Sequence, residues 1–313
     1  MNFPILHIPV VGDGMTIALN AVLHVCISHG LAIGLMTMLV IFQTLTWKGK
    51  GAFWADIARR LLGPLVVVTT SVGAVTGVGI WVLTGSLAPE GIGALIHLFF
   101  WPWFIEWFAF TAEVILLLCY YYMWDRLITH KPATLAAIGW GYVGASFISA
   151  VLITGILGFM LTPQGWPWAR SFTEAYFNPT FVPQCFLRVG GGMALGILLL
   201  MSWIAWRFKG TAEERGRALR VCGTALLLSL AVTAAATYVY FMRVPQTYLT
   251  HWKFSVATSY LSQMPDFLPT ANAVAALVLL LTALAALGRS RLACRLLCFP
   301  ALIMSLCFVM EFE

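Results

Sequence analysis

An all-α integral membrane protein is predicted: a bundle of about eight transmembrane helices with both termini extracytoplasmic. Three observations lead there. Hydrophobic residues fill 61% of the 313 positions and charged residues only 10%, against roughly 25% charged in soluble domains. Eight mainly apolar segments come close to the ~20 residues that cross a bilayer. The basic residues collect in four short connections on one side of these segments.

In chain order, the first segment (about 14–42) contains ALNAVLHVCISHG, residues 18–30, with His24 and His29 inside an otherwise apolar helix. Five α-helical residues turn about 140°, so the two imidazoles do not face one point. The second segment (61–84) carries GAVTG at 73–77. The third (96–124) carries Glu106 and Glu113. Seven residues make nearly two turns, so these carboxylates share a face about 10 Å apart along the axis. The fourth spans 134–161. The fifth (187–206) opens on Arg188 and GGGMALG (190–196), whose glycines permit close approach of a helix or a macrocycle. Segments at 218–241, 270–287 and 294–312 follow, and the last closes at Glu311. Cys294 and Cys298, one turn apart on it, read as two small apolar side chains.

Lys48, Lys50, Arg59, Arg60, Arg126 and Lys131 lie in the first two basic connections. Arg207, Lys209, Arg215, Arg217, Arg220, Arg289, Arg291 and Arg295 lie in the other two, which makes fourteen of the eighteen Lys and Arg residues. The positive-inside rule makes this side cytoplasmic. The net charge of +6 is thus a topology signal, and no nucleic acid is implied. The opposite connections, 162–186 and 242–269, are rich in Pro, Trp, Tyr and Phe, as an interfacial cap or docking surface would be. Residues 1–313 read as a single transmembrane domain without repeats. The N-terminal MNFPILHIPVVGDG lacks the basic start and small-residue cleavage site of a removable signal. None of the seven cysteines sits in a CxxC, CxxCH or zinc-type spacing, so neither a disulfide framework nor covalent c-type haem is expected.

Ionisable groups within spans cost roughly 2.5–3.5 kcal/mol each on insertion scales, which marks them as functional candidates. His24 and Glu106 sit at similar depth from the outer end, Glu113 about two turns further in, and Glu311 again near the outer side. A histidine and three carboxylates from three helices could therefore converge in the outer half of the membrane. Imidazole is a good axial ligand for haem iron, and a carboxylate can ligate or carry protons. The plainer alternative is a His24 hydrogen-bonded to a neighbouring helix and a protonated, packed Glu113.

The motifs resemble those of subunit I of cytochrome bd-type quinol oxidases. ALNAVLH is similar to that family's first-helix segment ending in a haem-ligating histidine, here His24. GAVTG is similar to its second-helix glycine motif. IEWFAFTAEVILLLCYYYMWDRL resembles its third helix; Glu113 falls at the inner glutamate's place, and Glu106 one residue off the outer one's. GFMLTPQGW (158–166) and NPTFVPQCFLR (178–188) resemble two further segments. The resemblance is good over about 15–210 and only topological beyond.

Departures are informative. Where the family has a low-spin haem histidine, this chain has Arg188, and the methionine partner falls near Asn272. Guanidinium offers no lone pair to iron. Arg188 could instead pair with a haem propionate or snorkel to the interface. The quinol-binding loop after the sixth span is much shortened, with no GRQP-like ending. Glu311 is the best counterpart of the glutamate that ligates a high-spin haem, with Glu313 as the other choice.

His29 suits either hydrogen-bonded packing or a second, relocated haem. His97 and His251 read as interfacial, although either could replace the missing low-spin ligand. Met193 reads as packing, CYYYMW (119–124) as an aromatic belt, and His7 and His130 receive no role. The resemblance implies haem, of b type with d type as a further possibility, and a second membrane subunit. It also implies a place in the bacterial inner membrane; the missing low-spin ligands and shortened quinol loop favour an extracytoplasmic cytochrome as electron donor, with a quinol as the other choice. Three functions remain open. The first is an oxidoreductase subunit passing electrons to a small molecule, oxygen by analogy, at high-spin haem, with Glu106 and Glu113 relaying protons. The second is a haem b electron-transfer module without gas chemistry. The third is a haem-poor membrane anchor.

Overall fold

The computed structural model describes residues 5–163, 171–245 and 267–312, with side chains through 309 outside the first turn of the segment that begins at 267. Most of the connection 242–269, with His251, lies outside the described residues. So do residues 164–170, Glu313 and the side chain of Glu311.

Among the described residues every regular element is helical. These are α1 (Asp13–Trp47), α2 (Phe53–Leu87), α3 (Pro89–Leu98), α4 (Phe100–His130), α5 (Pro132–Leu161) and α6 (Phe172–Tyr176). Then come α7 (Phe181–Arg207), α8 (Ala212–Arg243), α9 (Phe267–Leu287) and α10 (Arg291–Phe312). Seven helices are long and apolar enough to cross a membrane, and Ala271–Leu287 is a shorter apolar helix. The eight expected segments are thus all helices. The short α3 and α6 had no clear apolar period of their own in the sequence.

Local signals explain the helix ends. Pro89 and Pro132 open α3 and α5, where a missing N–H costs nothing. Thr211 and Glu214 close a reciprocal capping box at the start of α8. Within α1, Cys26–Leu35 is wound as a π-helix, with i→i+5 rather than i→i+4 hydrogen bonds. A π turn also occupies Thr69–Gly73 of α2, just before GAVTG.

The π stretch of α1 meets α7 through facing glycines. Gly30 and Gly34 on α1 oppose Gly192 and Gly196 on α7, and a Cβ at Gly34, Gly192 or Gly196 would collide with the partner's backbone. Two small-xxx-small motifs, GLAIG and GMALG, therefore let these backbones touch.

The basic connections come together at one end. Arg217 donates to the Lys50 carbonyl (2.8 Å), and Arg291 and Arg295 both donate to that of Ala205 (3.0 and 2.9 Å). Arg59 forms a two-pronged pair with Asp125 of WDRL (3.1 and 2.7 Å). The main core lies toward this end, built from Met38, Phe42, Ile57, Tyr120, Ile197, Met201 and Cys222. Packing at the other end is uneven: Phe99, Ile156, Phe159, Tyr176 and Phe181 form a second core there, whereas no residue of Asp13–Val25 is buried.

Candidate functional site

Asn20 and His24, one turn apart on α1, share a face against α2. The Asn20 amide donates to the Thr76 carbonyl (3.0 Å), and His24 Nδ1 lies 3.2 Å from the Thr76 hydroxyl. That hydroxyl is 2.8 Å from the Val72 carbonyl and 3.0 Å from that of Gly73, to which it donates. It therefore accepts from Nδ1–H, which fixes the tautomer and leaves the lone pair on Nε2. Gly77 and Gly79 make room: a Cβ on Gly77 would stand 3.0 Å from His24 Cε1, and one on Gly79 3.1 Å from Asn20 Oδ1. The glycine motif thus acts as the seat of the histidine. Among the described residues Nε2 of His24 makes no hydrogen bond.

Glu106 and Glu113 share a face of α4, as their spacing implies, and that face meets α5. The Ser149 hydroxyl donates to Glu106 (2.7 Å). The Tyr142 hydroxyl lies 3.0 Å from Glu113 and 2.9 Å from the Ala32 carbonyl of α1. One phenolic proton serves two acceptors, so a proton on Glu113 would complete the set. Tyr142 is fully buried and ties α4, α5 and the π stretch of α1 together.

His29 faces α7. The α-helical phase assumed for the two histidines fails through the π stretch, yet they still address different neighbours: α2 for His24, α7 for His29. Nδ1 of His29 is 3.0 Å from the Ser28 hydroxyl, and its Nε2 is buried without a hydrogen-bond partner. His29 lines a narrow cleft with Gln184, Arg188, Gly191 and Phe308.

His24, the two glutamates and His29 thus address different neighbours: α2, α5 and α7. No hydrogen bond or ion pair joins His24 to Glu106 or Glu113. Glu311 lies in the last turn of α10, three residues beyond Phe308. Among the described residues no three His, Cys, Asp or Glu side chains gather as a metal-ion site. His97 and His130 bond to carbonyls of their own helices (2.9 and 3.0 Å), and His7 to Asp13 (2.8 Å).

Thr76, Asn20, Tyr142, Ser149 and Gln184 were not singled out from the sequence. Thr76, Asn20 and Gln184 did lie within the motifs GAVTG, ALNAVLH and NPTFVPQCFLR, and Asn20 carried a further signal, its i−4 spacing from His24. The NPT segment, noted as a motif, proves structural. Buried Asn178 donates to the Gly155, Ala175 and Tyr176 carbonyls, each at 3.1 Å, and accepts from Thr162 and Thr180 (3.2 and 3.0 Å).

Comparison with known proteins gives a consistent picture. Residues 15–243 match the family model for cytochrome bd terminal oxidase subunit I. The "Putative cytochrome bd menaquinol oxidase subunit I" of Bacillus subtilis (strain 168) is 30% identical over 217 residues, 64% of this chain and 46% of that protein. The chain thus spans about half the length of that relative. In fold, the bd oxidase structure from Geobacillus thermodenitrificans superposes with a TM-score of 0.77 at 18% identity, over 96% of this chain and 83% of the other.

Proposed function

Because the chain belongs to the cytochrome bd terminal oxidase subunit I family, we propose that it is the haem-binding membrane subunit of a bd-type respiratory oxidoreductase. It is a multi-span helical protein of the bacterial inner membrane. In the proposed complex it pairs with a second membrane subunit, takes electrons from a quinol or an extracytoplasmic cytochrome, and passes them to a small-molecule acceptor, oxygen by analogy. Quinol as donor is suggested by the name of the B. subtilis relative.

Bound haem would supply an iron that exchanges electrons and offers a coordination position; b type is the simplest choice, d type the further one. This chain's residues do the rest. His24 presents the Nε2 lone pair to iron, and Thr76 holds the ring through Nδ1. Such an orienting contact is what a ligating histidine needs. Glu113 takes and returns a proton with Tyr142 as its neighbour, and Glu106 does so beside Ser149.

The observation that carries this reading is the Thr76–His24 contact, with Nε2 left unbonded. The test is His24→Ala in the purified complex, with haem measured as pyridine haemochrome and by carbon monoxide difference spectra. One high-spin, carbon monoxide-responsive signal should vanish while the protein stays inserted. Unchanged haem content and spectrum would sink the assignment.

A further inference from the structure

Where α7 ends and α8 and α10 begin, three guanidinium groups come together without an acid. Arg291 and Arg295, one turn apart on α10, both donate through Nε to the Ala205 carbonyl in the last turn of α7 (3.0 and 2.9 Å). Arg215, near the start of α8, is their electrostatic neighbour and donates to the Gly210 carbonyl (3.0 Å). The stem of Arg289 lies beside it, 3.0 Å from where a Cβ on Gly216 would stand.

No carboxylate answers these charges. Among the described residues the ion pairs are Arg59–Asp125, Arg60–Asp56 and His7–Asp13, and none includes the cluster. Glu214 spends its carboxylate on the Thr211 N–H and hydroxyl (2.8 and 3.0 Å). Glu213, two residues from Arg215, points about 200° away around the helix. The end of α7 supplies roughly half a negative charge, against three full positive ones. Each guanidinium carries five N–H donors, and each spends one on the carbonyls named. The Arg215 Nε is buried with no hydrogen-bond partner at all. A helix-end cap thus accounts for the Ala205 carbonyl and leaves the excess of charge and donors unmet.

The surface beside the cluster is apolar. Trp206, 59% exposed, lies under Arg295, its ring centroid 4.9 Å from the guanidinium carbon. That is the setting of a tryptophan at the membrane–water boundary. From there Leu292, Leu296, Phe299, Ile303 and Leu306 run along α10, all exposed. Their spacing of four and three puts them on one helix face. A cationic seat at the membrane edge that continues into an apolar track fits a molecule with an anionic head and a hydrocarbon tail. Guanidinium also matches phosphate geometry, offering two parallel N–H bonds at once.

We infer that Arg215, Arg291 and Arg295 bind the phosphate of an anionic phospholipid whose acyl chain lies along the Leu292–Phe299 face of α10. Basic pockets between membrane helices recognise such headgroups. The inference needs only the membrane placement of the chain and is independent of haem. The bound lipid would tie the ends of α7, α8 and α10 together, where like charges otherwise push them apart.

The test uses the whole purified complex, stripped of lipid in detergent and titrated with phosphatidylglycerol or phosphatidylcholine, with bound lipid read by native mass spectrometry. Phosphatidylglycerol should bind in preference. Arg291→Gln combined with Arg295→Gln should weaken it by about 30-fold, the worth of two basic side chains at an anionic headgroup. Arg60→Gln, whose side chain is exposed and paired with Asp56, should leave it unchanged. Where the double variant fails to assemble, a photoreactive phosphatidylglycerol on the wild-type complex decides: its label should fall within residues 203–220 and 288–299. Equal binding of the two lipids, unchanged affinity in the double variant, or label confined to other segments overturns the proposal. So does displacement of phosphatidylglycerol by inorganic phosphate at constant ionic strength, which would make this a free-phosphate site. A cross-link from the same segments to the second membrane subunit, with no lipid label, would make the cluster a protein interface and overturn it as well.

Discussion

At the scale of single residues, the site is organised by hydroxyls that leave no mark on hydropathy. Thr76 is one of many threonines in the spans, and only the fold brings it under His24. Thr76→Val keeps the shape and removes the acceptor, so the ring loses its anchor. Losing such an orienting contact typically costs 10–100-fold in metal affinity; haem retention during purification should fall accordingly, while a wild-type yield of haem would show that Thr76 is not the holder. Glu113→Gln removes a titratable proton and keeps the contact with Tyr142. Turnover should drop by about 10² or more, the scale of general acid–base catalysis, with haem content intact. Equal turnover in the variant would remove Glu113 from proton handling. His24, His29, Glu106 and Glu113 were legible in the sequence because charge in an apolar span is conspicuous. Their partners were not, since serine, threonine and tyrosine are cheap in a helix and sit there for many reasons.

Elements show a division between motifs that hold chemistry and motifs that hold shape. Asn178 belongs to the second kind: its amide bridges the end of α5 to the approach of α7, with Gly158 leaving room for it. Asn178→Ala would strand several buried carbonyls, at about 1–3 kcal/mol for each group left unsatisfied. A lowered Tm and partial loss of the α5–α7 junction to proteolysis are expected; an unchanged Tm would mean that Thr162 and Thr180 suffice. The GMALG run was readable as a close-approach surface, but its counterpart GLAIG was hidden beside the histidines. The π winding was not readable at all, because periodicity assumes one pitch throughout a helix. Short α3 and α6 escaped for a related reason, having too few turns to show a period.

For the whole molecule, composition and basic-residue placement carried the reading. Eight apolar segments became eight helices because a helix satisfies all its backbone groups within one segment in hydrocarbon. The hydrogen bonds among Lys50, Ala205, Arg217, Arg291 and Arg295 gather the basic connections at one end. That end is expected to be cytoplasmic, with both termini outside. Lys209→Cys should resist a membrane-impermeant thiol reagent in intact cells and react in inverted vesicles; the reverse pattern would turn the orientation over. The fold was thus largely open to reading, whereas the neighbours that His24 and the two glutamates address were not, because depth along a helix says nothing of azimuth. The uneven packing has a further consequence, for local stability: opening is expected to start where Asp13–Val25 packs sparsely and to reach Met36–Gln43 last.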